Sequence, residues 1–351
     1  MTDTSRADGD LASRSLVSDA GVTVAVNSPV DELAVSAALP PSTLVGRSPR
    51  QLAWIRLKRD RTALLSACVV VFFILLALVA PLVEKLYGIS PTERFGDLMT
   101  LRGEPLGYLG GISGDHWFGI QPQLGRDILM QLVYGLRTSL SISFAAAIIT
   151  TVVGVLVGVV AGYFGGWIDA IISWFTDVVL AFPFLIFTIA VIPLVTVRFY
   201  GARDAIPASF KVYLIIGIFA VFSWAGVARL VRGQVISLRE REYVDAARAA
   251  GAGPLHILFR QLLPNTWAPI LVSFSLALPA FITAEAALSF LSIGISEPQP
   301  DLGRMINDST KWLEADPAYL FFPGVTLVLL VLAFNLLGDS LRDALDPKSI
   351  G

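Results

Sequence analysis

Six stretches of this sequence, 62–83, 138–168, 178–197, 212–228, 261–284 and 317–338, contain no Asp, Glu, Lys or Arg. A helix needs about 20 apolar residues to cross a bilayer core of roughly 30 Å, so each stretch suits a transmembrane helix. Composition agrees: 55% of residues are hydrophobic and only 15% charged, with a mean hydropathy of +0.70. The expected fold is an all-α polytopic membrane protein of about six spanning helices.

Lys and Arg flanking a span are retained on the cytoplasmic side. Arg47, Arg50, Arg56, Lys58, Arg59 and Arg61 precede the first stretch, opposed by Asp60 alone. Six crossings then place both termini in the cytoplasm, residues 84–137 outside and 229–266 inside. Segment 292–316, with five acidic and two basic residues, falls outside. The first stretch starts some 60 residues in, with no small-residue cleavage pattern after it, and is expected to remain as an anchor. Residues 1–46 show neither helical nor strand periodicity and read as a mobile cytoplasmic tail before a permease-like domain at 47–348.

Gly154, Gly158 and Gly162 recur every four residues, which gives one helix a smooth face for close packing. Tyr163 and Trp167 suit interfacial depth, and Pro183, Pro193 and Pro279 predict kinks.

Between the fourth and fifth stretches lies "REYVDAARAAGAGPLHILFRQLLPN", residues 241–265. Ser237 and Glu240 have capping-box spacing, which predicts a helix over 238–250 ended by Gly251. Pro254 fits the first position of a second helix, whose apolar face is read as Leu255, Leu258, Phe259 and Leu262 and whose end is Pro264. Ala246, Ala247, Ala249, Ala250, Gly251, Ala252 and Gly253 make a small-residue surface that cannot build a core but can enter a groove on a cytoplasmic partner.

This loop resembles the signature loop of the permease subunits of ABC importers, E-A-A, three residues, G, about nine residues, then I-x-L-P. The match runs through Asp245, Ala246, Ala247, Gly251, Leu263 and Pro264. Asp245 replaces the usual Glu, and Gln261 stands at the usual Ile. The fuller form, which includes Glu242, is similar to the dipeptide, oligopeptide and nickel branch. "GRDILMQLVYGLRTSLSI", "GYFGGWIDAIISWFTDVVLAFP" and "AEAALSFLSIGISEPQPDLGRMI" extend the likeness to that branch's C-type permease over about 50–348.

The resemblance implies half of a translocation pore for dipeptides or oligopeptides in a bacterial cytoplasmic membrane. It also implies a second, related permease, two cytoplasmic ATP-binding subunits that hold ATP and Mg, and an external or periplasmic binding protein. Glu242, Asp245, Ala246, Ala247, Gly251, Pro254, Leu263 and Pro264 would couple the pore to the ATPases. A nickel chelate or another small solute remains open as cargo. No cofactor is expected in this chain: no Lys follows a Gly, so a G-x-x-x-x-G-K-[ST] phosphate loop is absent.

Among single residues, Glu285 is the acid deep in an apolar run, read either as part of the path or helix pairing or as a structural hydrogen bond. Asp177, six residues before Pro183, is read either as a gate or as a headgroup-level charge. His116 and His256 are predicted on opposite sides as surface residues, which excludes a shared metal site. Cys68 reads as a packing residue within a helix. Ser143, Ser173, Ser223 and Ser275 have no histidine at membrane depth to serve as base, which argues against catalysis. No basic stripe with interleaved aromatics suggests nucleic acid. An ion-coupled transporter or channel is the alternative from another class, but neither further midplane charges nor an inverted repeat is visible.

Overall fold

The computed structural model describes residues 15–17, 23–25, 49–201 and 206–345, in two compact units, 1–48 and 49–351. In the first unit, β1 (Ser15–Val17) and β2 (Thr23–Ala25) pair antiparallel with Ser15 opposite Ala25. Sequence periodicity gives no sign of these strands. Three residues each are too few for an alternating pattern to stand out. The rest of the expected tail lies outside the described residues.

The second unit is helical. α1 (Pro49–Arg59) leads into α2 (Arg61–Leu78), whose cap is Asp60, accepting from the Thr62 N–H at 2.9 Å. α3 (Ala80–Tyr87) follows, then α4 (Ile128–Phe164), α5 (Gly166–Ala181), α6 (Phe184–Tyr200) and α7 (Ala208–Arg239). After the 241–265 loop come α10 (Trp267–Phe290), α11 (Leu302–Ser309) and α12 (Pro317–Leu345), the numbers α8 and α9 being kept for that loop. Among the described residues, five helices, α2, α4, α7, α10 and α12, are long and apolar enough to span a membrane. The pair α5 and α6 adds a sixth span only as a unit bent by 80°.

The bend falls at Pro183, the position of an expected kink, but it divides the stretch at 178–197 between two helices instead of kinking one. Pro183 has no N–H to donate and pushes its predecessor out of the helical region, and Phe182 is extended at φ −74°, ψ 130°. The stretch expected at 138–168 is also divided, because Gly165 at φ +65° ends α4. Pro193 and Pro279, by contrast, stay inside α6 and α10.

The most extensive helix contact joins α4 to α7. A Cβ on Gly154 would lie 2.6 Å from Val227 Cβ, one on Gly158 2.5 Å from the Ala228 carbonyl oxygen, and one on Gly162 2.8 Å from Val235 Cβ. Both helices advance by four residues between contacts, so they run parallel with backbones nearly touching. At 37 and 32 residues they measure about 55 and 48 Å, longer than a bilayer core of roughly 30 Å. Their last turns form a stalk that carries the 241–265 loop.

At the other end, segments 88–127 and 291–316 fold together. Arg126 pairs with Glu297 at 3.1 Å, Gln299 Nε2 donates to Thr138 Oγ1 at 3.2 Å, and Gln121 Nε2 donates to the Tyr319 hydroxyl at 2.8 Å. His116 is buried here with Nδ1 2.9 Å from Asp127 Oδ2, and the Tyr87 hydroxyl donates to the same oxygen at 3.1 Å. The surface reading of His116 is therefore corrected: the layer is thick enough to bury a polar core of its own. Burial raises the Tyr87 hydroxyl to about 12. Cys68 is also corrected, being exposed on the outer face of α2 rather than packed.

Candidate functional site

α7 runs on to Arg239, so Ser237 and Glu240 end a helix rather than begin one. The next helix, α8 (Glu242–Ala249), starts after an extended Arg241. It closes with two bonds, from the Gly251 N–H to the Arg248 oxygen at 2.9 Å and from the Ala252 N–H to the Ala247 oxygen at 3.0 Å. This is the Schellman arrangement, and Gly251 at φ +82° supplies its left-handed residue. Pro254 then opens α9 (Pro254–His256), which continues as a π-turn, Ile257–Leu262, and a 3-10 turn, Leu263–Asn265, that contains Leu263 and Pro264.

The π-turn changes which side chains face inward. Val244, Ile257, Leu258 and Leu262 are buried against Val159, Val231 and Val235 of the stalk. Leu255 and Phe259, expected on the buried face, are 69% and 55% exposed. Wider π spacing breaks the 3.6-residue register on which that face was read. The loop thus presents Glu242, Asp245, Ala246, Ala249, Gly251, Pro254, Leu255 and Phe259 outward, with Ala247 half-buried beneath them. Asp245 pairs with Arg248 at 2.9 Å, an exposed ion pair of little energetic weight.

Arg239 ties the stalk by donating to the Gly162 oxygen at 2.9 Å at the end of α4, and Arg232 ties α5 by donating to Asp169 Oδ2 at 2.7 Å. Val244 is the one apolar pin from α8 and is fully buried. Val244→Asp is expected to free α8 from the stalk, by an unpaired buried charge as well as lost packing. Limited proteolysis checks this: new cleavage within 241–253 is expected, and an unchanged pattern would show that α8 is held by something else.

A cleft of about 970 Å³ opens between α7, α10 and the end of α12, lined by Ser223, Gly226, Gln234, Asn265, Ser273 and Arg342 among others. Neither Asp177, Pro183 nor Glu285 borders it. Asp177 pairs with the exposed Arg229 beside a smaller hollow of about 170 Å³ between α4, α5 and α7, while Pro183 marks the break between α5 and α6. Sequence reasoning missed the cleft because its polar residues, Arg342 apart, are uncharged and scattered over separate elements.

Glu285 is fully buried in α10, five residues from the end. Ser289 Oγ donates to this site, 3.2 Å from Glu285 Oε1 and 3.0 Å from Oδ2 of the equally buried Asp301. Asp301 also caps α11 through the Arg304 N–H. The carboxylate is therefore part of a seam between elements. Among the described residues there is no group of three or more His, Cys, Asp or Glu placed to hold a metal.

Known proteins resemble this chain over most of its length. Residues 154–351 match the family model of the binding-protein-dependent transport system inner membrane component, and residues 48–94 that of the N-terminal transmembrane domain of oligopeptide transport permease C. The dipeptide transport system permease protein DppC of Alkalihalophilus pseudofirmus is 38% identical over 86% of this chain and 90% of its own. The glutathione transport system permease protein GsiD of Shigella flexneri is 38% identical over 87% and 92%. Among solved structures, the inward-facing MetNI methionine ABC transporter aligns at 21% identity and a TM-score of 0.47, over 62% of this chain and 98% of that one. With more than half its length matched by one family model and relatives aligned over most of both chains, this multi-pass membrane protein belongs to the inner membrane components of binding-protein-dependent transport systems.

Proposed function

We propose that this chain is the non-catalytic half-pore of a peptide importer and that residues 241–265 dock on an ATP-hydrolysing subunit in the cytoplasm. The observation that carries this reading is the loop: a rigid, small-residue knob pinned to a stalk that continues two spanning helices. Motion imposed on it would pass straight into α4 and α7. The stalk end is also rich in Arg, from Arg229 to Arg260 and Arg342, whereas segment 292–316 is acidic, which supports a cytoplasmic loop and cytoplasmic termini. Peptide cargo follows from the names of the dipeptide and glutathione relatives. ATP and Mg would be bound by two partner subunits, a second permease would complete the pore across the α7 and α10 cleft, and an external binding protein would deliver cargo.

Purification of the tagged chain in mild detergent, with mass spectrometry and an ATPase assay, tests the assembly. A second permease, ATP-binding subunits and ATP hydrolysis stimulated by the peptide-loaded binding protein are expected. A chain that emerges alone and inactive toward ATP would overturn the proposal.

A further inference from the structure

Two carboxyl groups meet inside the bundle, where α10 passes into the segment that returns over its end. Glu285 and Asp301 are both fully buried, and a single hydroxyl, Ser289 Oγ, stands between them at 3.2 and 3.0 Å. A hydroxyl carries one proton and can satisfy only one of those oxygens. The other contact is favourable only if a carboxyl oxygen carries the donor. Asp301 Oδ1 is already committed to the Arg304 N–H at 3.0 Å. Among the described residues, Glu285 Oε2 and Ser139 Oγ are buried without a hydrogen bond of ordinary geometry, although the Ser139 hydroxyl is near enough to act on the Glu285 carboxyl.

Among the described residues, no Lys, Arg or His is paired with either carboxyl. On α11, Arg304 donates to the carbonyls of Ile295 and Gln299, and Arg304 and Lys311 act on half-buried Asp308. Glu297 is held by Arg126, Arg137 of α4 lies over the Tyr134 ring, and Lys211 of α7 faces Arg304. On α12 the Tyr319 hydroxyl accepts from Gln121. The charge that acts on Glu285 is that of Asp301. Two bare carboxylates in such a site are strongly unfavourable, and one proton between them removes both the repulsion and the missing donor.

Space favours a proton over a larger ion. A Cβ on Gly294 would fall 1.9 Å from Ser289 Oγ, one on Gly303 2.1 Å from the Ala286 oxygen, and one on Gly135 3.3 Å from the Asp301 carbonyl carbon. Three backbones close on the cluster and leave little room for a coordination shell.

We propose that Glu285 and Asp301 form a proton-binding site that fastens segment 292–309 onto α10 and α4, and that loss of the shared proton to solvent releases it. The native pair holds a proton that the unfolded chain, with ordinary carboxyl groups, has given up at neutral pH. Stability therefore falls as pH rises, by a factor of about ten in the folded-to-unfolded ratio per pH unit while one proton is at stake.

Thermal unfolding of the purified full-length chain, with whatever subunits accompany it, tests this across about pH 6 to 9. Wild type is expected to lose about 3 °C per pH unit. Glu285→Gln, neutral at every pH and carrying its own N–H donors, should lack this slope and exceed wild type at the alkaline end. Parallel curves would overturn the proposal. Should the variant fail to accumulate, infrared difference spectra of wild type decide: a protonated carboxyl band that moves on deuteration supports the site, and its absence overturns it. Stabilisation of wild type by added sodium or calcium in place of low pH would assign the site to a metal cation and overturn it equally.

Discussion

Gly158→Leu is expected to prevent the bundle from forming, so that little folded chain is recovered from membranes. The first atom of any side chain at 158 would already lie 2.5 Å from the Ala228 carbonyl oxygen and 2.9 Å from Val231 Cβ. Neither can swing aside, because one is backbone and the other is branched at Cβ. Relief requires α7 to move off α4 along its whole length, which also opens the contacts at Gly154 and Gly162. Even Gly158→Ala should lose about 1–3 kcal/mol, the usual cost of overpacking. In a bilayer this contact has no hydrophobic drive to fall back on, since lipid solvates a separated helix as well as a packed one. Gly226→Ala is the control, because nothing lies within 4 Å of its added Cβ. Detergent-solubilised yield and thermal scanning check the series. A well-folded Gly158→Leu chain would mean that α4 and α7 do not pack at these glycines.

The same three glycines show what sequence can and cannot carry. Their spacing announces a smooth face, but the register with Val227, Val231 and Val235 depends on a helix more than 60 residues later. Apolar runs likewise mark the spans but not their breaks: Pro183 ends a helix while Pro193 and Pro279 sit inside theirs, and nothing in the neighbouring residues separates the cases. In the loop, Gly251 and Pro254 act as local punctuation and were legible for that reason. The inward face was not, since a π-turn of six residues shifts it away from Leu255 and Phe259. Ser237 and Glu240 misled because capping-box spacing also occurs at the end of a helix that simply continues. Glu285 stands out in an apolar run, yet Asp301 reads as one more acid in a polar segment. His116 follows the same rule, since Asp127, which buries it, is eleven residues away across a turn. In each case the missing half is a contact between elements, and no local pattern encodes it.

Ala246→Arg and Leu255→Glu are expected to cut peptide import at least tenfold while leaving the chain inserted and as stable as wild type. Ala246 is exposed on α8 and Leu255 is 69% exposed on α9, so neither change disturbs the bundle. Arginine is nearly as good a helix former as alanine, which preserves α8 itself. What changes is the outward knob, where small residues permit close approach and Leu255 offers an apolar anchor. A long charged group at the centre of a docked surface must be desolvated or displaced, and central anchors commonly account for 2 kcal/mol or more of binding. A loss of 1.4 kcal/mol is already tenfold. Arg229→Ala, which removes only an exposed pair with Asp177, provides the comparison and should import normally. Uptake into vesicles and ATP hydrolysis, measured on the same preparations, separate two failures. Hydrolysis without import means that the subunits still meet but motion is not transmitted; loss of both means that docking itself has gone. Normal import by both knob variants would place the docking face elsewhere, and the rigid link from α8 through Val244 to α7 would then serve packing alone.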